Sequence, residues 1–144
     1  MENMYQRLKV GGKLAFQEPT WETIHTNYSS DFLNQYRDAV IKLGEMKGVN
    51  YNIGRSTPEM SRQLPYSFVE SYELENKITL EQYQELARVR LSEMGNKLIS
   101  VELVTEEILR DWNKEIESMP IDDSRYFVNV GNLTCVLVEK RQDN

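Results

Sequence analysis

The residues best suited to chemistry lie close together in Glu18-Pro-Thr-Trp-Glu-Thr-Ile-His-Thr-Asn-Tyr28. Aromatic walls with a few polar groups are what a small-molecule site needs, and Trp21 and Tyr28 supply such walls. His25, the single histidine, is a candidate base near neutral pH. Glu18 would stand at the carboxyl end of a strand, facing the site. A plainer reading competes: Trp21 and Tyr28 anchor a loop, and His25 lies on the surface. Tyr51 and Tyr66 could also flank a pocket, although a tyrosine beside a helix end usually packs. Glu106-Glu107 and Asp122-Asp123 resemble paired carboxylates. Adjacent side chains point different ways on helices and strands, so a dipole-favoured helix start and a polar turn account for them better. No serine-histidine-acid set, phosphate loop or zinc spacing is present. With one cysteine and one histidine, no dedicated Cys/His metal site can be built. No catalytic residue and no metal ligand is therefore assigned.

The elements that must position these residues belong to a chain of 144 residues, enough for a single domain spanning 1–144 with a real core. A composition 40% hydrophobic and 28% charged argues against disorder. The net charge of −6 repels phosphate backbones, and the basic residues are scattered, so nucleic acid is not expected as a partner. Cys135 sits in the apolar run Leu133-Thr-Cys-Val-Leu-Val138 and reads as a small buried hydrophobe. No apolar stretch is long enough for a membrane span and no signal-peptide core is visible, so the expected location is cytoplasmic, without a membrane partner.

Met4–Lys9 reads as a helical end, followed by a Gly11-Gly12 turn and a short strand, Lys13–Gln17, that Pro19 should end. Thr20–Ser30 reads as loop. Phe32, Tyr36, Ala39, Val40, Leu43 and Met46 recur at helical spacing, giving a helix over Asp31–Lys47 with Ser30 as cap and Gly48 as stop. Val49–Ser56 should be loop, and Thr57-Pro58-Glu59 starts a short helix with the Thr57 hydroxyl as cap. Phe68–Ile78 alternates as a strand, with Phe68, Tyr72, Leu74 and Ile78 on the covered face and Ser71, Glu73, Glu75 and Lys77 on the wet one. Thr79 and Gln82 form a capping box before a helix from Leu80 to about Leu98, and a second helix follows from Glu106 to about Ser118. Arg125–Glu139 carries two apolar runs around Gly131-Asn132, either one long bulged strand or a tight hairpin. The order implies an α/β fold, with a small sheet for its helical content and helical crossovers of the kind parallel pairs need.

Met4-Tyr-Gln-Arg-Leu-Lys-Val-Gly-Gly-Lys-Leu-Ala-Phe-Gln-Glu-Pro19 resembles the entry to the fifth strand of class I S-adenosylmethionine-dependent methyltransferases. In that family a helix ends in a Leu-Lys-Pro-Gly-Gly turn, and the strand closes on an acid and a proline. Leu8, Lys9, Gly11, Gly12, Leu14, Phe16, Glu18 and Pro19 carry the match, while Val10 replaces the usual proline. The resemblance implies a partial Rossmann-like methyltransferase sheet. The fifth strand would be Lys13–Gln17 and the sixth would come from Thr57–Ile78. The seventh, Tyr126–Lys140, would insert between them and run antiparallel.

The same resemblance implies that the segment after the fifth strand lines the pocket of a methyl acceptor, making Glu18, Trp21, His25 and Tyr28 substrate-binding candidates. S-adenosylmethionine is the family's cofactor. Its glycine-rich loop and ribose-binding acid belong to the first half of the fold, and this chain, which has no Gly-x-Gly, is expected to begin after that half has ended. No cofactor-binding residue is therefore carried over, and the chain alone is expected to be inactive and to bind no cofactor. It is expected to be a fragment or a naturally short product. Two further readings stand beside this one. The chain could be a non-catalytic interaction module, associating as a homodimer through a bare sheet edge or its helices. It could also be an unrelated small-molecule-binding α+β domain.

Overall fold

The computed structural model describes residues 1–142, so the last two positions of the expected 1–144 domain lie outside the described residues. The architecture is mixed α/β, with two three-stranded sheets and five α-helices among the described residues. Every strand pairing is antiparallel, so the helices do not serve parallel neighbours as crossovers. Two units compose the chain. The first takes Met1–Thr20, Tyr51–Glu75 and the segment from Asn132 onward; the second takes Trp21–Asn50 and Asn76–Gly131.

In the first unit the diglycine sets a register. Helix α1 (Glu2–Gln6) leads through Leu8 into strand β1 (Lys13–Thr20). The Gly11 N–H donates to Lys140 O at 2.7 Å, and the Lys140 N–H donates to Gly12 O at 3.0 Å. Two residues thus oppose one, with Gly11 at φ +79°, a bulge whose first position glycine alone adopts without strain. Lys140 belongs to β6 (Asn132–Lys140), the middle strand, which pairs on its other side with β3 (Ser67–Leu74). Antiparallel bonding alternates, so counting in twos from Gly12 points the amides of Leu14, Phe16 and Glu18 at β6 and those of Lys13, Ala15 and Gln17 away. Pro19 falls in the outward set. Its missing N–H therefore costs no ladder bond, and β1 runs on to Thr20 instead of ending at the proline.

The core of this unit gathers Tyr5, Val136 and Val138, with Leu8, Leu14, Phe16, Leu64 and Val69 packed against them. Tyr5 Oη donates to Pro65 O, and the buried Lys140 sends its Nζ to Leu8 O at 3.0 Å. Helix α3 (Thr57–Arg62) follows a short 3-10 turn, Ile53–Arg55, in a stretch expected to be loop. Thr57 is not its cap: it lies inside the first turn, and its hydroxyl donates back to Ile53 O at 2.7 Å.

Strand β3 inverts the expected faces. Val69 and Ser71 turn inward, whereas Phe68, Tyr72 and Leu74 are 38%, 61% and 47% exposed. The Phe68–Ile78 strand is also interrupted: Lys77–Thr79 (β4) belongs to the other sheet. Likewise Arg125–Glu139 is neither a single strand nor a hairpin. Phe127–Asn129 (β5) pairs in the second sheet and β6 in the first, with Gly131 at φ +114° where one gives way to the other.

In the second unit β5 lies between β2 (His25–Thr26) and β4, and the helices are α2 (Asp31–Met46), α4 (Leu80–Ser100) and α5 (Glu106–Glu117). Their caps follow the sequence. Ser30 Oγ accepts from the Leu33 N–H at 3.0 Å, and Thr79 and Gln82 close their box with bonds of 3.1 and 3.2 Å. Phe32, Leu33, Tyr36, Val40, Tyr83, Ala87, Trp112 and Ile116 are buried together, while Met46 of the expected α2 face is 56% exposed. Asn129 is fully buried, accepting from the Asn76 N–H at 3.0 Å and donating to Thr23 O at 3.3 Å. No helix among the described residues is long and apolar enough to cross a membrane.

Gly54 gives the packing of the first unit a direct test. A Cβ there would lie 2.7 Å from Glu18 O and 3.0 Å from Pro19 O, backbone atoms that cannot turn aside. Gly54→Ala should lower unfolding stability by about 1–3 kcal/mol in a urea titration, and an unchanged midpoint would show that β1 yields.

Candidate functional site

Of the four residues singled out in sequence, Glu18 belongs to the first unit and Trp21, His25 and Tyr28 to the second. Glu18 lies opposite Thr134 on β1. His25 is exposed: it pairs with Asn129 in the sheet, its Nδ1 lies 2.8 Å from Thr23 O, and its ring meets Phe127 edge-on. That is a surface strand position, as the plainer reading had it, with no second titratable group hydrogen-bonded to the ring among the described residues. Tyr51 belongs to the first unit, and Tyr66 stands exposed at its surface.

Trp21 and Tyr28 sit in a more chemical setting. Trp21 lies in a 3-10 turn, Trp21–Thr23, and the Arg90 guanidinium is 5.3 Å from its ring centroid. That is cation–π range, and the ring shields one face of the cation from water. Arg90 is half-buried and forms no ion pair or hydrogen bond among the described residues. A guanidinium has five N–H donors, and burying it without an anion is costly.

Tyr83 stands two turns before Arg90 on the same face of α4, with Ala87 between them. It is 1% exposed, its ring is tilted against that of Phe32 with centroids 6.4 Å apart, and its hydroxyl makes no hydrogen bond among the described residues. Burial pushes its phenol far above the ordinary range, and the nearby Arg90 only partly offsets this. Tyr28, Tyr36 and Glu115 act on the same hydroxyl, each in the upward direction. The Tyr28 hydroxyl is itself buried and has no hydrogen-bond partner of sound geometry. Its phenol is raised as well, by burial first, while Ser30 opposes the shift and Glu115 adds to it.

Glu115 is already employed. Its two oxygens accept from the Ser30 hydroxyl at 2.8 Å and the Phe32 N–H at 3.1 Å, capping α2 from α5. Trp112 is engaged too, donating from Nε1 to Gln35 Oε1 at 2.9 Å. Beside these, the Tyr28 hydroxyl is buried without a partner of sound geometry, and Arg90 has no ion pair among the described residues. The second unit thus offers the Trp21–Arg90 pair and the buried Tyr28 hydroxyl as its candidate functional groups.

Sequence reasoning singled out Trp21 and Tyr28 but neither Tyr83 nor Arg90. Tyr83 was read as one more apolar residue on the α4 face, and Arg90 was not singled out. The available signal was an arginine recurring two turns after a core tyrosine on a face otherwise apolar. No group of three or more His, Cys, Asp or Glu residues is placed to hold a metal among the described residues. Buried Cys135 receives a weak hydrogen bond from Gln17 Nε2 at 3.3 Å.

The raised phenols predict a pH dependence. An unfolded tyrosine loses its proton near pH 10.0, before folded Tyr83 does, so its contribution to stability is complete below that pH and is lost as pH rises through the folded value. Urea midpoints measured from about pH 9 to 11 should fall, and Tyr83→Phe should flatten the fall. An identical slope in the variant would remove Tyr83 as the cause.

No protein-family model matches the sequence, and no curated protein is found similar to it.

Proposed function

We propose that this chain is the acceptor-side part of a class I S-adenosylmethionine-dependent methyltransferase, contributing structure around the methyl acceptor and not the cofactor site. The observation that carries the reading is the strand order of the first unit. β6 lies between β1 and β3 and runs antiparallel to both, the arrangement that the resemblance implies for the fifth, seventh and sixth strands. The Leu8-Lys9-x-Gly11-Gly12 turn that suggested the family is also the bulge that starts β1. The segment after β1 supports the acceptor side of the reading, since it carries the Trp21 ring, 5.3 Å from the Arg90 guanidinium, and the buried Tyr28 hydroxyl. Within this division of labour Glu18 lies near the end of the fifth strand and His25 at the surface of the second unit.

Titration with S-adenosylhomocysteine by calorimetry tests the division. The isolated chain should give no binding tighter than about millimolar, because no glycine-rich loop lets backbone close on the ligand. Sub-millimolar binding would put the cofactor site on these residues and end the proposal. An in-frame strand, glycine-rich loop and helix encoded upstream of Met1 is the complementary expectation, and a stop codon directly upstream argues for the second reading.

That second reading is a non-catalytic interaction module, favoured by the outer edge of β1. Lys13, Ala15 and Gln17 direct their amides to that edge, and among the described residues β1 pairs with a strand on one side only. An exposed row of donors and acceptors is a template for another strand, and a second copy is the simplest supplier. Sedimentation at micromolar concentration should then return a dimer. A monomeric mass removes this reading.

A further inference from the structure

We propose that the open face of the first unit's sheet binds a small organic ammonium ion, with Glu70 as its counter-charge. The proposal goes beyond the acceptor-side reading and does not rest on it, because the groove lies wholly on β1, β6 and β3.

The strand register assembles the groove. Leu14, Phe16, Val69 and Val136 take the core side of the sheet, so the residues between them take the other. Two rows cross that other side, Ala15–Leu137–Glu70 and Gln17–Cys135–Tyr72, each member directly opposite the next. These six line one groove of about 440 Å³, within the range of small-molecule sites. Ala15 and Cys135 are short and leave the space, while Gln17 on β1 and Tyr72 on β3 bound it on either side of β6. The Gln17 amide, 3.3 Å from Cys135 Sγ, closes the floor.

Charge decides the ligand. Glu70 is the one carboxylate lining the groove, and it makes no ion pair or hydrogen bond among the described residues. Leu137 lies opposite it, and Phe68 and Tyr72 flank it on its own strand. The other acid of this face, Glu139, is 3.9 Å from Lys13. Arg141 stands over the Phe68 ring at 4.3 Å and does not pair with Glu70. A ligand covering the groove takes Glu70 out of water, and a buried carboxylate is tolerated only when paired. The ligand must therefore bring the cation, and the exposed Tyr72 ring adds a second attraction for it.

Other occupants fit less well. A calcium ion takes about six to eight oxygen ligands, and no group of three potential metal ligands exists among the described residues. A second copy lacks the area. Three strands about 4.8 Å apart and about 27 Å long present roughly 400 Å². Two such faces would bury about 800 Å² in total, less than a stable dimer needs. A two-fold pairing would also bury two Glu70 carboxylates with no cation for either.

Benzylamine serves as the probe, with benzyl alcohol and benzoate as controls, each titrated into the isotope-labelled chain and followed by NMR. Benzylamine should give saturable shifts at the Ala15 and Leu137 methyls and the Gln17 side-chain amide, with a millimolar midpoint. Benzyl alcohol should bind about tenfold or more weakly, since it brings no charge to Glu70, and benzoate should not saturate. Glu70→Gln should reduce the amine to the level of the alcohol. Glu73→Gln removes a charge from the opposite face of the same strand and should leave the amine preference unchanged. Ala15→Leu should fill the groove and weaken both ligands. Equal binding of amine and alcohol, an amine preference that survives Glu70→Gln, or absence of saturable shifts at tens of millimolar would each overturn the proposal. Shifts at the same residues on simple dilution of the chain would give this face to a second copy and overturn it too. No cofactor enters the experiment, so its failure leaves the strand-order reading intact.

Discussion

The first unit depends on a central strand that hydrogen-bonds along both edges. β6 holds β1 on one side and β3 on the other, and without it neither has a partner, because β1 and β3 never touch as strands. A strand bonded twice has no freedom of register. A slip of one residue would carry Val136 and Val138 from the core to the uncovered face and bring Leu137 inward. The bulge at Gly11-Gly12 against Lys140 pins that register at its end, and the buried Lys140 amine reinforces it by binding Leu8 O. One backbone irregularity thereby decides which side chains of nine successive residues face the core.

The helices were legible in sequence because what makes a helix is local. Ser30, Thr79 and Gln82 act within one turn of themselves, and the apolar spacing of α2, α4 and α5 is written in neighbouring residues. Strands were legible as segments but not as members of a sheet. Alternation around Phe68 and Tyr72 reveals two faces without saying which is covered. The larger apolar side chains lie on the open one, and the smaller Val69 packs against the core. Pro19 misled for a related reason: whether proline ends a strand depends on which way its nitrogen points, and that is fixed by β6, which lies far along the chain. The breaks at Glu75-Asn76 and Val130-Gly131 are equally non-local, since each marks where the chain leaves one unit for the other.

The candidate site shows the same division. Aromatic residues in a loop-like stretch drew notice by composition, and the structure places Trp21 beside Arg90, the Tyr28 hydroxyl in the interior and His25 at the surface. Tyr83 and Arg90 were hidden because each is ordinary alone: a tyrosine on an apolar helix face and an arginine in a charged helix. The Trp21–Arg90 contact spans residues far apart in the chain and becomes visible only in the fold. Glu115 illustrates the converse, since a carboxylate that looks available in sequence is consumed in closing the start of α2.

The pairing of Lys13 with Glu139 has a temporal side. On the ribosome β1 leaves the exit tunnel on the order of a hundred residues before the strand that completes it, and loop closure across that separation is slow. Both segments of the second unit, Trp21–Asn50 and Asn76–Gly131, are synthesised in the interval, so that unit can close first and shorten the effective tether between β1 and β6. Until then the nascent chain carries an unpaired Leu-Ala-Phe stretch, and its safe passage through synthesis depends on how quickly its final sheet strand arrives.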